Sequence, residues 1–216
     1  MMWKRAVRAL ICSIGFVVVP LGVQAVPVVI DFESVADSDA ITNQFSGLSF
    51  SHATALTAGI SLNEFEFPPR SGTNVILDDG GALTINFATA VTSVGGYFTY
   101  LNPLQFKAFD AGSNLVASDA SAFSSNLALS GDAGSATNEF LSVAFAGGIS
   151  RIVISGNPGG SSFVMDDLTF ERGAVINTPE PGTLWLLLVS LIWVTAIIRS
   201  KSTCRTLKKV ARRITE

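Results

Sequence analysis

The sequence predicts an all-β fold, an antiparallel β-sandwich of jelly-roll type, framed by an N-terminal signal peptide and one C-terminal hydrophobic helix. Three observations predict it. Between residues 26 and 172 the dominant hydrophobic period is two, the spacing of a strand with one buried face. Clusters of Gly, Asn, Asp and Ser interrupt that rhythm at short intervals. No stretch of the same region offers an amphipathic helix of ordinary length.

Along the chain, Ile30 and Phe32 alternate with Asp31 and Glu33, and Leu48 and Phe50 keep the same rhythm. Leu83, Ile85 and Phe87 alternate with Thr84, Asn86 and Ala88. Leu104–Phe109 and Leu115–Ala117 flank Asp110-Ala111-Gly112-Ser113-Asn114, a composition suited to a hairpin turn. Residues 118–138 are rich in Ser, Ala, Gly and Asn and predict a long loop. Leu141, Val143 and Phe145 form a further apolar row, with Ile152 and Ile154 after it and then Leu168 and Phe170. Roughly eight to ten short strands in about 145 residues suit two packed sheets. A domain of that size can bury a sufficient core without disulfides, and residues 26–172 contain no cysteine.

The ends differ from the middle. Lys4, Arg5 and Arg8 precede the apolar run Ala9–Val19, Pro20 breaks it, and Val23-Gln24-Ala25 supplies small residues for cleavage after Ala25. Residues 1–25 thus predict a secretory signal peptide. At the other end a 173–183 linker contains Pro179, Glu180 and Pro181, which neither continue a strand nor sit inside a helix. Residues 184–198 are apolar and uncharged, and predict a transmembrane helix. The 199–216 tail holds seven Lys and Arg residues, which stay on the cytoplasmic side and direct the preceding domain outward. Charge is segregated accordingly. Residues 26–172 hold four basic residues (Arg70, Lys107, Arg151, Arg172) against 15 acidic ones, a net charge of −11. Such a domain repels nucleic acid and anionic lipid and attracts divalent cations.

Pro179-Glu180-Pro181, the Leu184–Ile198 helix and the basic residues from Arg199 resemble the PEP-CTERM sorting signal of Gram-negative bacteria. The resemblance implies export across the inner membrane and anchoring by the C-terminal helix. It also implies processing by an exosortase, release to the cell surface or matrix, and association with exopolysaccharide. A plain membrane anchor shares everything but the Pro-Glu-Pro motif. The middle domain is also similar to the sandwich domains that commonly precede such signals, some related to carbohydrate-binding modules. The points of likeness are Asp31-Phe32-Glu33, Asp78-Asp79-Gly80-Gly81 and Met165-Asp166-Asp167-Leu168-Thr169-Phe170.

Catalytic chemistry has few carriers. His52 is the only histidine and reads as a surface residue after the Leu48–Phe50 strand. With one His and no Cys in the domain, zinc would be left with carboxylates. A secreted glycan-active hydrolase would need dispersed carboxylates, such as Glu64 or Glu66 with one of Asp78, Asp79, Asp166 or Asp167. Structural Ca²⁺ asks less, since it takes six to eight oxygen ligands without a fixed motif. Asp31 and Glu33 share a face of the first strand, and Asp166 shares parity with Val164, Leu168 and Phe170, so the three are the candidate ligands. The alternative is that these acids accept hydrogen bonds from loop amides. For sugar contact, Tyr97 and Tyr100 are the candidate residues, with core packing as the competing use of the rings. The leading expectation is a non-enzymatic exported protein associated with matrix polysaccharide.

Overall fold

The computed structural model describes residues 26–173. The segments expected to form a signal peptide (1–25) and a transmembrane helix (184–198), with Pro179-Glu180-Pro181 and the 199–216 tail, lie outside the described residues. Among the described residues nine strands succeed one another: β1 (Val28–Ile30), β2 (Leu48–Ser51), β3 (Ala53–Thr57), β4 (Asn74–Asp79), β5 (Leu83–Tyr100), β6 (Gln105–Phe109), β7 (Leu115–Ala120), β8 (Glu139–Ser155) and β9 (Gly160–Arg172). All the strand pairings are antiparallel. No helix occurs among the described residues.

The long strands β5 and β8 each serve two groups of neighbours. The first half of β5 pairs with β2 and with the last part of β8, which in turn pairs with β6 and then β7. The second half of β5 pairs with the first part of β8 and with β9, which carries β1 and β4, and β3 lies beyond β4. Between the halves the register jumps. Residues 87–90 of β5 and 145–148 of β8 have no partner in the β5–β8 ladder, so both strands turn a corner there. Phe145, expected within an apolar row, falls on that corner and stays 36% exposed.

Each half keeps the period of two, and its inward residues meet those of the other half. Phe106 on β6 packs against Phe98 on the second half of β5 with ring centroids 5.9 Å apart, and Phe87 meets Phe170 at 5.5 Å. Both are cross-layer contacts, so the halves form two layers over one apolar core that includes Leu48, Phe50, Leu83, Ile85, Ile152, Ile154, Phe163 and Met165. Full burial of each such side chain stabilises the fold by about 1.5–3 kcal/mol. A smaller cluster of Leu62, Val75 and Val164 lies on the opposite face of the second layer, joined by Phe67 from the 58–71 segment.

Two sequence expectations shift. The first strand ends at Ile30, and Phe32 turns into the core with φ 60°, so Asp31 and Glu33 do not lie on a strand face. The 118–138 loop begins later, because β7 runs to Ala120. Beyond β7 the loop is tied down by Asn126, which is fully buried. Its Oδ1 accepts from Tyr100 N at 2.6 Å, while its Nδ2 donates to Phe98 O and Ala136 O, replacing a missing strand beside the end of β5.

Candidate functional site

The outer face of the second layer carries two rings in contact, one exposed and one half-buried. Tyr97 on β5 and Phe140 on β8 are direct cross-strand partners, and both point away from the core because Phe98 and Leu141 point into it. Their rings lie 5.0 Å apart at 52°, and Phe140 is 49% exposed. Gly95, two residues before Tyr97, leaves room for this. A Cβ there would stand 2.7 Å from Phe140 Cζ and 2.9 Å from Leu141 O, so the Phe140 ring extends across the glycine. The Arg70 guanidinium carbon sits 4.7 Å from the Tyr97 ring centroid, a cation–π contact worth ~0.5–1 kcal/mol at an exposed site. Exposed Ser142 continues the same face along β8.

Two segments frame the rings. Asp166 Oδ2 accepts from Arg70 N at 2.7 Å and Ser71 N at 2.9 Å, which fixes the backbone that carries Arg70. Asn138 Nδ2 donates to Pro68 O, and Asn138 N donates to Thr99 Oγ1. Glu66 joins the same segment to the later loop, since its Oε2 accepts from Leu129 N and Ser130 N. Those amides hold the Glu66 carboxyl below its ordinary value of 4.5, with the Leu129 amide the main cause.

The structure separates the two tyrosines proposed for sugar contact. Tyr97 is on the outer face. Tyr100 is fully buried in the core, and its hydroxyl donates to Glu139. Burial first, and Glu139 second, push that phenol up to about 12. Their spacing of three residues puts them on opposite faces of one strand. Phe140, the ring that does accompany Tyr97, was legible only from parity, as the residue between inward-facing positions.

Asp31, Glu33 and Asp166 are not brought together. Glu33 accepts from Thr73 N and Asn74 N, and from the Thr73 hydroxyl. Asp31 Oδ1 accepts from Glu33 N. Asp166 lies on the outer face of β9 with Val164, whereas Leu168 and Phe170 face the core. The alternation breaks between them because β9 carries one extra residue at Asp167, where φ is 47°. No group of three or more His, Cys, Asp or Glu among the described residues is placed to hold a metal ion. With Glu33 and Asp166 engaged by backbone amides, titrating Ca²⁺ against EGTA is expected to leave the melting temperature unchanged. A calcium-dependent rise in melting temperature would return the ion to these residues.

Two of the carboxylates considered for hydrolysis, Asp78 and Asp79, are also engaged. Asp78 is fully buried; its Oδ1 accepts from Ser162 N and Phe163 N, and its Oδ2 from Ser162 Oγ. Burial pushes its carboxyl up despite those donors. Asp79 Oδ2 accepts from Thr54 Oγ1. His52 is exposed at the turn between β2 and β3, with φ 59° and Nδ1 3.0 Å from Asp79 O.

No family model matches the chain, and no curated protein matches it. Several solved structures are similar to it. The K2 cleaved adhesin domain of Lys-gingipain matches with a TM-score of 0.44 and 14% identity, over 67% of this chain and 99% of that one. A family 29 carbohydrate-binding module complexed with mannohexaose gives 0.38 and 14%, over 70% and 94%. A module from Clostridium stercorarium in complex with cellobiose gives 0.32 and 14%, over 63% and 94%. Likeness at these values identifies neither a family nor a ligand for this chain.

Proposed function

We propose that this chain is an exported, non-enzymatic jelly-roll β-sandwich that associates with matrix polysaccharide through the Tyr97–Phe140 face. In this reading Pro179-Glu180-Pro181 and the hydrophobic segment after them address it to an exosortase. The single observation that supports the binding role is the outward-facing ring pair beside Arg70, in which Phe140 is exposed and Tyr97 is half-buried under the guanidinium. The C–H faces of a sugar pack on such rings, and Arg70 and Ser142 offer donors to its hydroxyls. The hydrogen bonding of the acids favours binding over turnover: Asp78, Asp166 and Glu66 all accept from backbone amides, and Asp166, the cross-strand partner of Tyr97 on β9, is 1% exposed and closed to a substrate.

Affinity electrophoresis of the full chain in gels containing a soluble neutral glucan, mannan or galactan tests this. At least one polysaccharide is expected to retard the wild type, and Phe140→Ala or Tyr97→Ala to weaken retention by about tenfold, the equivalent of ~1.4 kcal/mol. Retardation by none of them, or retardation that both variants keep, would remove the assignment. Product release from the same polysaccharides, abolished by changing one acid, would favour the hydrolase instead. Mass spectrometry of the mature chain from cells, with and without Pro179-Glu180-Pro181 replaced by alanines, tests the sorting role. An unchanged C-terminus would argue against an exosortase.

A further inference from the structure

The outer face of the first layer has a different character. Lys107 points outward on β6, because Phe106 and Ala108 are buried, and Arg151 points outward on β8 beside buried Ile152. Lys107 is paired with Val153, two residues from Arg151, so the cations are diagonal neighbours on adjacent strands. Half of the four basic residues of a domain with net charge −11 therefore share one small patch. The outward positions of β2, the first half of β5, β6, β7 and the end of β8 include no Asp or Glu. Ser49, Thr84 and Asn86 line them instead. Asp110, next after Phe109, is turned to Asn114, whose N and Nδ2 donate to its carboxylate.

Arg151 is ready for an anion. Its guanidinium carbon lies 4.6 Å from the Phe109 ring centroid, a cation–π contact that holds the group over that ring. Its Nε is buried and has no hydrogen-bond partner among the described residues. An orphaned charged donor is unfavourable, and a side-chain rotation that lays Nε–H and Nη–H on a carboxylate would satisfy it. Beside it, Ser49 and Asn86 border a shallow depression that also involves Gly47 and Ala88, next to Arg151 through the Asn86–Arg151 pairing.

We infer that this face binds an acidic polysaccharide, with a uronate carboxylate on Arg151, a second acidic group on Lys107 and sugar hydroxyls on Ser49, Thr84 and Asn86. The shape of the charge favours a single chain over an anionic membrane. At physiological ionic strength fields fade within about 8 Å. A strand of spaced carboxylates therefore meets the two cations and little else, whereas an extended anionic surface also meets the acidic remainder of the domain. The site is on a different layer from the Tyr97–Phe140 rings, so the two are tested separately.

The experiment is calorimetric titration of the full chain in detergent with polygalacturonate oligomers, beside a neutral glucan of equal length and phosphatidylglycerol vesicles. The oligouronate is expected to bind. Arg151→Gln and Lys107→Gln should each weaken it several-fold, Arg151→Lys should do so too because Lys cannot pair bidentately, and Tyr97→Ala should leave it unchanged. The C-terminal basic tail is common to every variant, so the difference between them reads this face alone. If Arg151→Gln lowers the melting temperature, Lys107→Gln decides by itself. Equal binding by the wild type and the Arg151→Gln/Lys107→Gln double variant would overturn the inference, as would no binding. Vesicle binding that depends on the same two residues would overturn it in favour of a membrane.

Discussion

Replacing Asp166 by alanine is expected to destabilise the domain by about 3 kcal/mol and to weaken polysaccharide retention along with it. Asp166 is 1% exposed, and its two oxygens accept from three backbone amides: Arg70 N, Ser71 N and, at 2.7 Å, Asp167 N. Alanine leaves all three donors without an acceptor. Some will reach water as the 66–71 segment lifts, so the loss is smaller than three full desolvation penalties. Because that segment positions Arg70 over Tyr97, its release disturbs the outer face as well. Urea melts of the two proteins, then gel retardation, measure both effects. A variant as stable as the wild type would show that the segment is held by its apolar contacts alone.

The same residue gives stability a pH dependence. Burial pushes the Asp166 carboxyl up to about 6 against the opposing pull of the amides. A carboxyl raised by folding favours the native state at low pH, and that contribution is lost as pH rises through about 6. Asp78 is raised too and acts in the same direction. Asp37, Glu66 and Asp110 are lowered by their hydrogen bonds and act in the opposite direction, losing their contribution only as pH falls through the ordinary carboxylate range. The melting temperature is therefore expected to fall between about pH 4 and about pH 7, with Asp166→Asn flattening the fall. An equally steep fall in the variant would place the titration elsewhere.

Gly160→Ala is expected to prevent stable folding or to destabilise the domain by more than about 4 kcal/mol. Gly160 opens β9 with φ 78°, where an L side chain adds roughly 1–2 kcal/mol of strain. Space is the greater obstacle. A Cβ there would stand 2.5 Å from Gly80 N, 2.7 Å from Gly81 N and 3.0 Å from Asp78 O, all of them backbone atoms that no rotamer change can move. Relieving the clash separates the start of β9 from the turn after β4, and so draws Ser162 and Phe163 away from the buried Asp78 carboxylate. Gly159→Ala is the control, since its nearest neighbour is Asn157 Oδ1 at 3.5 Å, and it should change stability by no more than about 0.5 kcal/mol. Comparable thermal melts for the two variants would show that the β4–β9 junction yields.

The strands were legible because burial on one face imposes a period of two on sequence. Leu83, Ile85 and Phe87 and the Asp110–Asn114 turn lie where the pattern puts them. Parity then fails wherever a strand gains a residue. Asp166 and Leu168 are two apart yet face opposite sides, since Asp167 bulges between them, and Phe145 leaves its row at the β8 corner. The candidate site was half legible. Tyr97 could be named from the cluster of rings, but its partner Phe140 is 43 residues away in sequence and becomes a neighbour only through the β5–β8 register.

Sequence alone determined the all-β antiparallel character of residues 26–172 and the concentration of acid there, because periodicity and charge are properties of the chain itself. It also supplied the expectation of export, carried by end segments that the described residues do not reach. Tertiary structure decided what the acids and rings are for. Asp78, Asp166 and Glu33 look alike in a sequence, and only the approach of amides from distant segments turns them into acceptors that hold loops in place. Tyr97 and Tyr100 look alike as well. A strand sends one to its outer face and the other to the core, because side chains an odd number of residues apart leave it on opposite faces.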